Sequence, residues 1–497
     1  MVKPNGAQRE SDGVIVLSSG VQHNAPLGKD PGFDHASDAG KCEGMALMVN
    51  NLDRVPVVAG WGGPRPVKVR ELQSKLWTAA KQSKGRRFHA LFDRVFRSDV
   101  LWEAWERVRA NRGAAGVDKV TLADVEEYGV DRMLRELSLA LQQGVYRPGL
   151  VRRVEIPKPD GRKRPLGIPT VMDRVAQQAA KIVLEPVFEA DFLPCSYGFR
   201  PKRSATDALE RIRVSYPQGA VFVFEADIKN FFGEIDHDKL MELVGLRVSD
   251  RRMLKLLRSW LRAGVLLADG SVEATVAGTP QGGVISPLLA NIYLHAFDQA
   301  WVEQGTGEVI RYADDFVVLC SSRVQAEDAQ RRAVALLGEL GLTLHPDKTR
   351  VVDLREGREG FDFLGCHLHA RMSGRVWADR HIVRYYLHRW PSARAMKNAR
   401  AKIRALTDRR WVGMDLHVLI ERINRFLRGW AGYFRSGNAA KKFRQLEYYV
   451  EWRLRCLLIK QRGRNLRAGQ VDRWTGAWFH DQGLFKISGT IRYPKAA

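Results

Sequence analysis

At 497 residues the chain has room for about two to four domains. Its apolar share of 45% supports a sizeable core, which excludes a collagenous, coiled-coil or wholly disordered chain. The charge is the outlier: 80 Lys+Arg against 56 Asp+Glu leave +24, which favours a polyanionic partner, nucleic acid or an anionic membrane surface.

Residues 1–70 are rich in Gly, Pro, Asn, Asp and Ser without lasting periodicity, so an irregular extension is expected there. Apolar spacing predicts helices from Glu71, over 90–109 and over 121–143, around a Gly-rich loop at 111–118. Residues 71–136 thus read as a helical segment. Val151–Ile156 alternates as a strand, Pro157-Lys158-Pro159-Asp160-Gly161 turns, and Leu166-Gly167-Ile168-Pro169 returns. Helices are predicted over 173–188, 239–262 and 286–301, and an apolar strand over 220–228. Strands over 309–320 and 360–368 flank an amphipathic helix at 326–341. After Arg371 the pattern is largely helical, clearest over 416–434 and 440–462. The expected fold class is α+β across 137–370, followed by an α-helical domain at 371–497.

Five scattered cysteines, Cys42, Cys195, Cys320, Cys366 and Cys456, offer neither a disulfide framework nor a Cys-x-x-Cys zinc site. That usage fits a reducing, cytoplasmic compartment. No stretch approaches the roughly 18 apolar residues of a membrane helix, and the N-terminus lacks a signal-peptide pattern. Nucleic acid is therefore the expected partner, without membrane or zinc. The charge is concentrated: residues 371–497 hold 29 Lys+Arg and 8 Asp+Glu, and the first 370 are nearly balanced. Aromatics are interleaved in that tail, among them Trp430 and Tyr433. Basic groups neutralise phosphates and exposed rings stack on bases. For most of these rings a place in the helical core is the expectation.

Two carboxylate clusters carry the chemistry. Asp227 ends the apolar run Val221-Phe222-Val223-Phe224-Glu225-Ala226, and Asp314-Asp315 sits between apolar strand-like runs, as at a hairpin tip. Carboxylates beside a buried strand are costly unless a cation compensates. A pair of divalent ions does so, and it also holds both oxygens of an in-line phosphoryl displacement. Adjacent Asp is equally common at ordinary turns.

Tyr312-Ala313-Asp314-Asp315 is the four-residue signature of reverse transcriptases, and its neighbours extend the likeness. Lys158 to Pro169 resembles the first fingers motif, Ser196-Tyr197-Gly198-Phe199-Arg200 the next, and Asp227 to Phe232 the first palm motif. Gly278-Thr279-Pro280-Gln281-Gly282-Gly283-Val284-Ile285-Ser286-Pro287 resembles the nucleotide-pocket motif, and Phe363-Leu364-Gly365 the primer-grip strand. Leu427-Arg428-Gly429-Trp430 through Tyr433-Phe434-Arg435 resembles a maturase (thumb) domain. From about Leu101 to Leu458 the chain resembles bacterial group II intron-encoded reverse transcriptase/maturases, without the zinc-supported HNH endonuclease that many of them carry.

The resemblance implies a right-hand polymerase, with fingers and palm around an antiparallel sheet and a basic, helical thumb. It implies two Mg²⁺ ions, with Mn²⁺ as a possible substitute, held by Asp227, Asp314, Asp315 and the carbonyl of Ile228. It implies that Lys158 and Arg164 bind the triphosphate, whereas Arg162 and Lys163 read as a solvated charge run. Phe232 matches the ring that excludes a 2′-hydroxyl; a core aromatic, like Phe231, is the rival. Gln281 and Gly282 match the dNTP pocket. Lys348 is either near the active site or a surface lysine. His237, His295, His345 and His367 read as structural or solvent-facing. The RNA-binding set implied for the tail is Arg422, Arg425, Arg428, Trp430, Tyr433, Arg435, Lys441, Lys442 and Arg444. Implied partners are group II intron RNA, a DNA target with its primer strand, and dNTPs, in a nucleoid-associated ribonucleoprotein of the bacterial cytoplasm. A reverse transcriptase of another bacterial class, a maturase with a dead polymerase, and an enzyme recruited to a host role remain alternatives.

Overall fold

The computed structural model describes residues 66–157, 163–275, 277–279, 282–467 and 469–492. The expected extension lies outside these residues except at its end, which already belongs to helix α1 (Pro66–Gln82). Lys158 and Gln281 also lie outside them.

Helices α1, α2 (Ser98–Ala110) and α3 (Val130–Gln143) pack around α4 (Val171–Glu189), which is buried over nearly its whole length. The single helix expected over 121–143 is two, because Gly129 adopts φ +103 between Leu122–Tyr128 and α3. Strands β1 (Val151–Pro157) and β2 (Lys163–Ile168) pair antiparallel, from Arg152 opposite Ile168 to Pro157 opposite Lys163. Helix α5 (Ala205–Ser215), unforeseen in the sequence, carries a Ser204–Asp207 capping box.

After β3 (Phe222–Asp227) the helix expected over 239–262 is again two, α6 (His237–Gly245) and α7 (Arg251–Leu261). The cause is Asp250. Its Oδ1 caps α7 at the amides of Arg252 and Met253, while its Oδ2 accepts from the amides of Leu91 and Phe92. Two short strands, β4 (Val265–Leu266) and β5 (Val272–Glu273), then extend the fingers sheet, β4 parallel to β1.

Helix α8 (Ser286–Gln304) leads into the hairpin of β6 (Glu308–Tyr312) and β7 (Asp315–Cys320). Helix α9 (Arg323–Glu339) and strand β8 (Arg350–Asp353) complete the palm, an antiparallel sheet in the order β6-β7-β3-β8. A second hairpin, β9 (Gly360–Phe363) and β10 (Cys366–Met372), continues past the short helix α10 (Gly374–Arg380) into β11 (Tyr385–Pro391). The boundary expected between 370 and 371 therefore falls inside β10, and the tail begins as sheet rather than helix. The basic helices come next: α11 (Ala393–Leu406), α12 (Leu416–Phe434) and α13 (Ala440–Arg462).

Period-two alternation makes the palm sheet a partition between two cores. Phe222, Phe224, Val309, Phe316 and Val318 face the helices α4, α8 and α9. Val223, Ile310, Val317 and Leu319 face the β9–β11 sheet and the basic helices, including Phe361, Ile423 and Phe443. The mixed α+β palm followed by a helical domain is as expected.

Candidate active site

β3 ends on Asp227 directly opposite Asp315, the first residue of β7. Asp315 is itself paired with Tyr312 across a two-residue turn, Ala313-Asp314. One sheet register thus brings the two sequence clusters together. The turn needs φ +59 at Ala313, a left-handed conformation that costs a residue with a Cβ. The surrounding structure enforces it. Arg311, with 0% of its surface exposed, donates from one guanidinium nitrogen to Ala313 O at 2.9 Å and to Asn291 Oδ1 at 3.2 Å. Its other nitrogens donate to Asp298 and to Ser196 Oγ. Behind the turn lies Gly198, where an added Cβ would stand 2.3 Å from Ala313 N. Asn291 Nδ2 donates to Gly198 O at 2.8 Å, which closes the clamp. Sequence reasoning missed Arg311, Asn291 and Asp298. The available signal was a charge embedded in Val309-Ile310-Arg311.

Burial is the leading cause of the carboxylate shifts. It pushes Asp314 up to about 6; Asp227 adds to the rise, and Arg164 and Lys348 oppose it. Asp315 is held well above the usual carboxylate range by burial and by Asp314 and Asp227. Lys348 Nζ lies 3.2 Å from Asp227 Oδ2, so this lysine belongs to the site and not to the surface. Among the described residues no group of three or more His, Cys, Asp or Glu side chains forms a ready-made metal cage. The donor set suits a hard divalent ion all the same. It offers few carboxylates, of which Asp314 and Asp315 are destabilised by burial and by their neighbours, and Mg²⁺ completes its shell with water and substrate phosphate. Next to Asp227 the backbone is fixed, with His345 N donating to Asp227 O at 2.8 Å and Lys229 N to Thr343 O at 2.9 Å. That holds Ile228 in a bridge to Leu344.

The nucleotide-pocket motif joins fingers to palm. Gly278 N donates to Ile235 O and Thr279 N to Phe232 O, both at 2.8 Å. Gly278 and Gly282 have φ +82 and +113, and a Cβ on either would meet backbone oxygens of Phe232 and Gly167 within 2.6 Å. Val284 N is held by Gln177 Oε1 at 2.9 Å, a buried glutamine on α4 that the sequence did not flag. Phe232 is buried edge-on to Phe231, beside this loop. Arg164 is half-buried on β2, opposite Ile156. Lys163 is exposed and paired with Glu155 at 2.7 Å, as a solvated charge.

A cavity of about 760 Å³ opens from Asp227 and Asp315 toward the basic helices, and its far wall includes Trp390, Arg394, Lys397 and Lys442. The remaining basic residues expected to bind RNA do not share that wall. Lys441 and Arg444 line a separate groove with Arg400 and Tyr448, the latter 71% exposed. Arg422 stacks at 4.1 Å on Trp411, Arg425 pairs with Glu421 at 2.9 Å, and Arg428 lies 5.4 Å from the Phe485 ring. Arg435 is half-buried where its carbonyl accepts from Arg492 N. Two members of the set are corrected. Trp430 is 8% exposed and packed between Phe434 and Phe443, so its ring has no face for a base. Tyr433 donates its hydroxyl to Leu364 O at 2.8 Å and ties α12 to the β9–β10 turn. Both serve the core because helix period places them on the inward face of α12.

The reverse transcriptase (RNA-dependent DNA polymerase) family model matches residues 156–368, and the group II intron maturase-specific domain matches 396–475. Protein YkfC of Escherichia coli is 34% identical over 343 residues, 60% of this chain and 88% of that one. The chain belongs to the group II intron-encoded reverse transcriptase/maturase family. It carries that family's RNA-directed DNA polymerase module and its maturase module. Lactococcus lactis LtrA, a group II intron-encoded protein, is 39% identical over 213 residues, 43% of this chain and 35% of LtrA. A 91 kDa protein in the cob intron of Schizosaccharomyces pombe is 27% identical over 430 residues, 72% of this chain and 52% of its own length. The chain thus spans only about a third of LtrA and half of the fission-yeast protein. Reverse transcriptases use divalent metal ions. Among the described residues no helix is long and apolar enough to cross a membrane.

Proposed function

We propose that this protein binds a group II intron RNA, assists its splicing and copies it into DNA at a target site during intron mobility. The observation that carries the reading is the cross-strand pair Asp227–Asp315, with Asp314 beside it, opening into a basic cavity. Asp227, Asp314, Asp315 and the Ile228 carbonyl would hold two Mg²⁺ ions, or Mn²⁺ in their place. When bound, these ions supply charge neutralisation for the attacking and leaving oxygens. A primer 3′-hydroxyl attacks the α-phosphate of a dNTP, and pyrophosphate leaves. Arg164, with Lys158, meets the triphosphate, where a guanidinium matches phosphate geometry. Gln281 and Gly282 line the dNTP pocket, and the Phe232 ring, seated beside it, excludes a ribose 2′-hydroxyl. Lys348 balances Asp227 when the ions are absent and yields to them when they bind. The basic helices hold intron RNA, through the cationic residues Arg422, Arg425, Arg428, Arg435, Lys441, Lys442 and Arg444. The setting is a ribonucleoprotein of the bacterial cytoplasm, close to the nucleoid.

The test separates copying from splicing. Asp314→Ala with Asp315→Ala removes two carboxylates at one hairpin tip and leaves the RNA-holding helices untouched. This variant is expected to lose primer extension on RNA while still binding intron RNA and supporting splicing. Extension by the wild type should stop with a chelator. Chelator-resistant extension would overturn the metal assignment, and a folded double variant that fails to splice would overturn the separation.

A further inference from the structure

The peptide that joins Gly278 to Thr279 opens the nucleotide-pocket loop, and it is clamped at both ends. Its carbonyl, Gly278 O, lies 2.6 Å from His237 Nε2. Its N–H, on Thr279, donates to Phe232 O at 2.8 Å. The preceding N–H, on Gly278, donates to Ile235 O, also at 2.8 Å. A carbonyl oxygen can only accept, so the proton of the first bond sits on His237 Nε2. His237 is the first residue of α6, whose N-cap Asp236 accepts from Lys239 N, so the imidazole projects from a well-anchored first turn.

A peptide unit is planar, so its C=O and N–H turn together. Turning Gly278 O away from His237 therefore turns Thr279 N away from Phe232 O. Glycine is required at 278, where φ is +82 and a Cβ would stand 2.6 Å from Phe232 O and 2.9 Å from Gly233 Cα. Glycine also leaves the plane free to rotate. The plane is thus held by its bonds and not by backbone sterics. Among the described residues, His237 supplies the only side-chain bond to Gly278 or Thr279. The buried Thr279 hydroxyl has no partner there and holds nothing in place.

What depends on this plane is Phe232. It sits on the single-turn helix Phe231–Glu234, which follows Asn230 at φ +44. One helical turn has little stiffness of its own, so the Thr279 N–H fixes the Phe232 backbone from outside. In the other direction the loop runs on to Gly282, whose backbone lies against Gly167 O on β2. His237 therefore acts on both walls of the dNTP pocket, although it does not line the cavity that contains Asp227 and Asp315.

We propose that His237 is a positioning residue for nucleotide selection: its Nε2–H bond to Gly278 O locks the pocket-loop peptide and so holds the Phe232 ring where it admits a deoxyribose and rejects a ribose. The inference rests on the polymerase reading of the Asp227–Asp315 site and on Phe232 as the ring that excludes a 2′-hydroxyl. The test uses the full-length protein, which adds one dNTP, or the matching rNTP, to a DNA primer on an RNA template. His237→Leu keeps an apolar body and loses the donor. Its KM for dNTP is expected to rise about tenfold with kcat within about twofold, and its preference for dNTP over rNTP to fall about fivefold. His237→Gln places an amide N–H near the position of Nε2 and should restore both. Affinity for the primed template should match wild type in both variants, and the melting temperature should stay within about 3 °C, because His237 is only partly buried. In a Phe232→Ala background, His237→Leu should lower the preference no further, since the ring it positions is gone. Wild-type KM and preference in His237→Leu would overturn the role, as would His237→Gln as impaired as His237→Leu. So would a fall in kcat and melting temperature with KM and preference intact, which is what a purely structural histidine would give. A further fall in preference in the Phe232→Ala background would show that His237 acts without that ring, and would overturn the link. If Phe232→Ala alone leaves the preference unchanged, the reading of Phe232 fails while the polymerase reading stands. If wild type does not extend the primer at all, the polymerase reading fails. Either result takes this inference with it.

Discussion

A guanidinium without exposed surface survives only when its donors are used and its charge is matched. Arg311 meets both conditions through Asp298, Asn291, Ser196 and Ala313 O, and the last of these is the turn that carries Asp314. Its role is to position the hairpin. Arg311→Met leaves Asp298 charged and buried, and should cost about 3–5 kcal/mol. Adding Asp298→Leu removes the orphaned charge and should restore much of that stability, because an apolar pair can replace a buried ion pair. It does not restore the bond to Ala313 O. Denaturant unfolding should therefore show recovery in the double variant while the primer-extension rate stays low. Recovery of both together would mean that Arg311 only stabilises the fold.

At the scale of elements, the β6–β7 hairpin was legible because Asp314-Asp315 interrupts two apolar runs, and its strand pairing emerged as read. The partner strand was equally legible from Val221-Phe222-Val223-Phe224. The sequence did not reveal β11, since Tyr385–Pro391 sits among helix formers and its alternation is masked by the buried Arg389. Nor did it reveal the break between α6 and α7, because Asp250 is recruited by amides 158 and 159 residues earlier in the chain. Trp430 and Tyr433 looked like RNA contacts because composition cannot tell an inward aromatic from an outward one. Gly198 shows what the motif Ser196-Tyr197-Gly198 does physically: it lets one loop lie flat against the hairpin turn. In Gly198→Ala the new Cβ must displace Ala313 by more than half an ångström. Overpacking of this kind costs about 1–3 kcal/mol, so the variant should still fold. The displaced turn carries Asp314 and Asp315, so extension should fall at least tenfold at saturating dNTP and primer. Wild-type extension with a lowered melting temperature would show that the loop yields and the turn does not.

Over the whole molecule, the matches at 156–368 and 396–475 suggest two separable modules, but the packing does not. One face of the palm sheet is covered by the C-terminal elements: Val223, Ile310 and Val317 share a core with Leu419, Ile423, Leu427, Phe443 and Leu446. Cutting the chain near 370 would strip that face, so a truncated palm is a poor measure of what the basic helices contribute to RNA binding. A point substitution reads the coupling better. Phe443 is fully buried on α13 and lies 5.2 Å from the Trp430 ring. Phe443→Ala should destabilise by about 3–5 kcal/mol, through lost transfer energy and the cavity left behind. If palm and basic helices unfold together, that loss appears far from the substitution, as faster hydrogen exchange at the β3 and β7 amides. A single thermal transition should shift as a whole. Unchanged exchange in β3 and β7, with a new early transition confined to the helices, would make the C-terminal helices an independent domain. Retention of the single transition would mean that thumb packing sets the rigidity of the strands that carry Asp227 and Asp315. RNA bound on the basic helices would then stabilise the catalytic sheet through their shared core, without touching it.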